Sequence, residues 1–130
     1  MADIKDVTTA LADLTVKFSQ VNTTIKDAFG ISVEELLSGN KYGMTFGGAI
    51  AALKLGIKVA RVGWNGKGMW LYLVTEGKYP MKMNAARAIA DEKGDVCYGA
   101  YIALKAADGN VYPWNASQAD MLSNDWMIVE

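Results

Sequence analysis

Two stretches of this 130-residue sequence hold residues suited to chemistry with a ligand. The first is RVGWNGKGMWLYLV, residues 61–74. It sets Trp64, Asn65 and Lys67 among glycines, just ahead of an apolar run from Met69 to Val74 that reads as a strand buried on both faces. The second is YPWNASQAD, residues 112–120, where Trp114 and Asn115 precede Ser117 and Asp120. An exposed indole face suits stacking on a base or adenine ring. The Lys67 ammonium suits a phosphate, and Gly66 and Gly68 let backbone N–H groups approach an anion. A helix starting at Ser117 would offer further N–H groups, and Arg61 adds a planar charged fork.

Each of these residues also has a plainer role. A tryptophan in a small domain commonly fills the core, and Trp70 and Trp126, inside strand patterns, read that way. Lys67 alone reads as a solvated charge, and Phe46 and Met69, which could line a pocket, read first as core. Tyr101 shares a strand face with Ala103 and Lys105 and can point either way.

Covalent and metal chemistry finds little support. The sequence has no histidine, which removes Ser-His-Asp and Cys-His catalysis and the usual zinc sites. Cys97 stands alone, so neither an internal disulfide nor a thiolate cluster is expected, and a reducing cytoplasm fits. Carboxylate pairs exist in Asp120 with Asp125 and Asp91 with Glu92. Asp120, however, lies three residues after Ser117, the spacing of a capping box, and that local role is preferred. Asp108 reads as a turn residue. The GWNGKG loop lacks the spacing of a phosphate-binding P-loop, and a strand follows it where a helix should. No catalytic residue, metal or cofactor is expected.

Net charge is −1, with −2 on residues 1–43 and +1 on 44–130, so neither half has the basic surplus of a duplex nucleic-acid binder. No apolar run approaches the ~20 residues needed to span a bilayer. The opening MADIKDVTTALADLTV has acidic residues and no basic-then-apolar block, so a signal peptide is not expected.

Ahead of these motifs, Ile4, Val7, Leu11, Leu14, Phe18, Val21, Ile25 and Ala28 recur at alternating spacings of three and four. This heptad stripe predicts an amphipathic helix of roughly 26 residues, about 39 Å long. It would serve as a coiled coil joining copies of the chain, or lie on its own domain. Gly30 is a plausible stop. SVEELLSG, with Ser32 and Glu35 as a capping box, predicts a short helix, and SGNKYG (38–43) a linker. Residues 45–56 predict a helix capped by Thr45 and ended by Gly56, with Gly47 and Gly48 allowing close packing. Strands are expected at 57–62, 69–74 and 125–130, and a hairpin over 99–114 with a type I′ turn at Asp108-Gly109. Residues 75–98 read as irregular, with a helical piece at 84–93 closed by Gly94. Residues 117–124 form a short helix. The fold class is therefore α+β: a small antiparallel sheet with short flanking helices, preceded by the N-terminal heptad helix. Residues 1–43 form the extension and 44–130 the main domain.

The motifs themselves are familiar. Ala60 to Met69 (ARVGWNGKGM), Ala107 to Gly109 (ADG) and Pro113 to Trp126 (PWNASQADMLSNDW) resemble the second Thoeris anti-defence family of small phage and prophage proteins. The resemblance covers residues 44–130. Residues 1–43 lie outside the family's usual short form, and 75–98 depart from its usual proline-rich loop. Members of that family act as sponges. They bind glycocyclic ADP-ribose, a cyclic nucleotide-derived immune messenger, and hold it uncleaved, so the bacterial effector stays silent. They assemble as oligomers, typically tetramers, with pockets where protomers meet, and some also hold cyclic oligonucleotide messengers at a separate site. The resemblance thus implies a non-enzymatic sponge in the cytoplasm of an infected or lysogenic host. The expected ligand-binding residues are Arg61, Trp64, Asn65, Gly66, Lys67, Gly68, Trp114, Asn115, Ser117 and Asp120. Two alternatives stand beside it: an enzyme that degrades such a messenger through carboxylates, and a structural or adaptor protein assembled through the N-terminal helix.

Overall fold

The computed structural model describes residues 4–64 and 68–130. Its architecture is α+β. Helices α1 (Ile4–Phe29), α2 (Val33–Leu37) and α3 (Phe46–Lys54) come first, then strands β1 (Lys58–Arg61) and β2 (Trp70–Val74). Strands β3 (Gly77–Pro80) and β4 (Asp95–Tyr98) flank a 3₁₀ helix at Asn84–Ile89. Next come β5 (Tyr101–Lys105), β6 (Val111–Pro113), helix α4 (Gln118–Leu122) and β7 (Trp126–Val129). The main sheet has the order β6-β5-β2-β1-β7, and every pairing is antiparallel.

Helix α3 forms where its caps dictate. The Thr45 hydroxyl oxygen accepts from the Gly48 N–H at 3.1 Å and donates to the Ala28 carbonyl at 2.7 Å, tying the start of α3 to the end of α1. Gly48 is needed for this crossing, because a Cβ there would stand 2.8 Å from the Phe29 carbonyl oxygen. Ala49, Ala52 and Leu53 of α3 then bury against Val59, Leu71 and Trp126 of the sheet. Of these, Leu53, Val59 and Leu71 each contribute roughly 1.5–3 kcal/mol when fully buried.

Several expectations change. Strand β2 is not buried on both faces. Leu71, paired with Val59, is fully buried, and Leu73 packs on the same core. By alternation, Trp70 and Tyr72 take the opposite face, where they are half-buried with ring centroids 5.5 Å apart. The Lys58 ammonium sits 4.9 Å from the Trp70 ring centroid. Trp70 therefore lies outside the main core, whereas Trp126 is fully buried as expected.

Residues 75–98 are not irregular. β3 and β4 pair as a second, two-stranded sheet, with Tyr79 opposite Val96, and the helical piece between them is 3₁₀. The Asp108-Gly109 turn is not type I′, which needs positive φ at both central residues. Only Gly109 has it, at φ +87°. The Gly109 N–H bonds the Ala106 carbonyl, and the Ala106 N–H bonds the Asn110 carbonyl, closing a longer loop. Asp108 acts as a turn residue, accepting from the Asn110 N–H and the Tyr112 hydroxyl.

Helix α1 has the expected length, yet most of it does not lie on its own domain. Leu11 and Leu14 are 59% and 63% exposed, and the stripe stays exposed from Ile4 to Leu14 and again at Val21. Only the C-terminal end docks, where Ile25 and Phe29 are half-buried and Lys26 pairs with Glu35. Ser32 caps α2 by accepting from the Glu35 N–H, while the Glu35 carboxylate turns to Lys26 and Asn40 instead of closing a capping box. Packing continues across residue 43, since Ile31 is buried with Met44, Ala52 and Leu53. The 38–43 segment is held to β7 by the Ile128 N–H on the Lys41 carbonyl and by the Lys41–Glu130 ion pair. No helix among the described residues is long and apolar enough to cross a membrane.

Candidate functional site

The site is organised around Arg61, the last residue of β1, which the ladder places opposite Trp126 of β7. Its Nε donates to Asp125 Oδ1 at 2.9 Å and its Nη1 to Asp120 Oδ1 at 2.9 Å. Asp120 is nearly buried, and its contacts are dense. Oδ1 also accepts from the Trp64 indole N–H at 3.3 Å, and Oδ2 from the Ser117 N–H at 3.0 Å. The Ser117 hydroxyl accepts from the Asp120 N–H at 3.0 Å, so the capping box of α4 is complete. The Asp120 carbonyl takes the Trp126 indole N–H at 2.9 Å.

These contacts fix the ionisation of the cluster. Burial pushes the Asp120 carboxyl up, but hydrogen bonds from Ser117, Arg61 and Trp64 outweigh it and hold the pKa at about 2. Asp125 is likewise lowered, burial being outweighed by Arg61 and the Gly63 N–H. Arg61 is raised by Asp125 and then Asp120. Both carboxylates are ionised at neutral pH.

Four aromatic rings stand on this frame. Trp126 forms the floor, with Trp64 at 5.5 Å, Phe46 at 5.6 Å and Trp114 at 6.0 Å between ring centroids. Trp64 and Trp114 are half-buried, 6.3 Å apart and tilted by 58°. They make an aromatic corner rather than a parallel slot, packed on the core on one side and open on the other.

The glycine loop is anchored at both ends. Asp125 accepts the Val62 N–H on its carbonyl at 3.0 Å and the Gly63 N–H on Oδ2 at 2.9 Å. A Cβ at Gly63 would lie 2.9 Å from that same oxygen. At the far end, Lys105 Nζ donates to the Gly68 carbonyl at 2.9 Å. Asn65, Gly66 and Lys67 lie outside the described residues.

The structure therefore brings Arg61, Trp64, Trp114, Ser117 and Asp120 together, with roles partly different from those expected. Two donor positions of the Arg61 fork are spent on Asp120 and Asp125 rather than offered to a ligand. The α4 start is no open anion site either, because the capping box uses the Ser117 and Asp120 N–H groups and adds a carboxylate. Asn115 is exposed beside Trp114. Sequence reasoning missed Gly63, Asp125 and Lys105 as the loop's anchors. Asp125 beside Trp126, in the strand that pairs with Arg61, was the available signal.

A groove of about 310 Å³ lies elsewhere, lined by Val74, Tyr79, Pro80, Lys82, Met83, Ala86, Tyr98 and Tyr101. None of the seven expected ligand residues that the structure describes lines it. It exists because the β3–β4 sheet folds segment 75–98 against the ends of β2 and β5, and it settles that Tyr101 faces this groove.

An antiparallel α+β domain with an arginine–carboxylate clamp under an aromatic corner is the class that fold and site define. The chain belongs to the Tad2-like family, whose Thoeris anti-defense 2-like domain matches residues 44–129. Membership carries a phage anti-defence role directed at Thoeris. Among relatives, Thoeris anti-defense 2 of Bacillus phage SP01 is 36% identical over 86 residues, which cover 66% of this chain and 94% of that protein. Both sequence motifs and the whole clamp fall inside the matched span. Helices α1 and α2 fall outside it.

Proposed function

We propose that this protein blocks Thoeris-type immunity by binding a cyclic nucleotide-derived messenger of the glycocyclic ADP-ribose type and holding it uncleaved. The observation that carries this reading is the Trp64–Trp114 corner, two half-buried indoles on a braced frame beside an anchored glycine loop. Ligand rings stack on the open indole faces, and Lys67 counters phosphate charge. Anchoring both loop ends reduces the order that binding must impose. The clamp favours sequestration over cleavage. Asp120 and Asp125, the carboxylates best placed for acid–base work, are tied to Arg61 as anions with lowered pKa values, and a carboxylate held so firmly ionised is a poor proton donor or acceptor at neutral pH.

The protein works in the host cytoplasm as a homo-oligomer of the tetrameric kind. The separate groove of Tyr79, Tyr98, Tyr101 and Lys82 supplies rings and a cation for cyclic oligonucleotides. Incubation with glycocyclic ADP-ribose, removal of the protein with its ligand, and heating of the complex test the mechanism. The messenger should leave solution in proportion to protein and return chemically unchanged. Linear product in molar excess over protein would establish the degrading enzyme instead, and failure to deplete the messenger would leave the adaptor reading.

A further inference from the structure

Helix α1 presents an apolar seam to solvent over three heptads. Ile4 and Leu11 occupy the first core position, Val7, Leu14 and Val21 the second, and each of these five is at least half exposed. The helix is not a loose appendage. Thr45 bonds its last turn, Lys26 pairs with Glu35, and a Cβ at Gly30 would lie 2.2 Å from the Gly43 carbonyl oxygen, so the exit of α1 is tightly fitted.

We propose that α1 packs side by side with α1 of other copies of this chain, as a bundle of more than two helices. This rests on α1 alone and is independent of the messenger reading. Three features select a copy of the chain as the partner. A strict three–four stripe is self-complementary, since the same seam on a second helix supplies the holes for its knobs. The positions flanking the seam are small and nearly uncharged: Thr8, Thr15, Ala10 and Thr24, with Lys17 the exception. Two-stranded coiled coils usually carry Glu or Lys there, whereas a wider bundle buries those positions. The threonines can be buried without stranding a donor. The hydroxyls of Thr8, Thr15 and Thr24 each donate to the carbonyl four residues earlier, at 2.9–3.0 Å. A membrane surface fits poorly, because the polar face is not rich in Lys or Arg.

Full-length variants lacking the exposed Cys97 thiol test this by cross-linking. Val7→Cys with Cys97→Ser places a thiol in the seam near the N-terminus, and Thr9→Cys with Cys97→Ser places one outside it. Under mild oxidation at micromolar protein, the Val7 variant, alone or mixed with a Val21→Cys, Cys97→Ser copy, should form a disulfide-linked dimer nearly quantitatively and the Thr9 variant at least tenfold less. Adding Leu14→Asp should abolish the Val7 product and lower the light-scattering mass, while tryptophan fluorescence shows the main domain still folded. Equal cross-linking of the Val7 and Thr9 variants, no cross-linking of Val7 either alone or with Val21, or indifference to Leu14→Asp would overturn the bundle. A mass of two chains for the unaltered protein would overturn the claim of more than two helices.

Discussion

Arg61 and Asp120 meet at 2.9 Å although 59 residues separate them, and through that contact β1 is tied to the short helix after Trp114. The same Asp120 oxygen holds the Trp64 indole, so both motif segments converge on one carboxylate.

Removing either partner of this clamp should be costly. Arg61→Ala leaves the buried Asp120 and the half-buried Asp125 without a counter-charge, and a loss of about 3 kcal/mol is expected. Asp120→Ala removes the α4 cap as well and should lose at least as much. Urea unfolding monitored by tryptophan fluorescence measures both. Midpoints within error of the unaltered protein would show the clamp to be ornamental.

The acid side of the stability curve should carry the clamp's signature. Asp120 has a folded pKa of about 2, below its ordinary 3.8. Its contribution is therefore complete above about pH 4 and lost as pH falls toward 2, on the order of 2 kcal/mol. Asp125 is lowered too and adds with the same sign. Melting temperature against pH should drop steeply below pH 4, and in Arg61→Gln that drop should be shallower.

Gly30→Ala should break the junction between α1 and the domain. Gly30 has φ +85°, and an added Cβ would meet the Gly43 carbonyl oxygen at 2.2 Å. Strain and displaced backbone together predict a loss of roughly 2–3 kcal/mol. Gly94→Ala is the control: φ is +83° there, but nothing lies within 4 Å, so only the backbone strain of about 1 kcal/mol is expected. Thermal melts of the two variants give the comparison.

Binding should separate the rings by role. Trp114→Ala is expected to weaken messenger binding by about 1–3 kcal/mol, the usual worth of ring stacking, with a modest change in melting. Trp126→Ala should instead cost about 3–5 kcal/mol of stability, because that ring is fully buried. Tyr101→Ala, in the separate groove, should leave glycocyclic ADP-ribose binding unchanged. Calorimetry beside melts distinguishes them, and a Tyr101 effect as large as that of Trp114 would move the messenger to the groove.

Local signals in the sequence determined much of this protein. The three–four spacing from Ile4 to Ala28 dictates a long helix, Thr45 and Ser117 dictate where α3 and α4 begin, and the apolar runs dictate β2 and β7, because each signal acts within a few residues. The tertiary structure alone decided what faces what. Residues 75–98 look irregular since β3 and β4 are short and pair across an intervening 3₁₀ helix, so no local period marks them. Trp70 and Trp126 have the same strand signature, yet α3 packs on only one face of the sheet, and alternation puts one ring in the core and the other outside it. Arg61 reads as a free cation from its neighbours. It becomes a structural clamp because antiparallel pairing with β7 delivers Asp125, and the α4 cap delivers Asp120, from some 60 residues away in sequence.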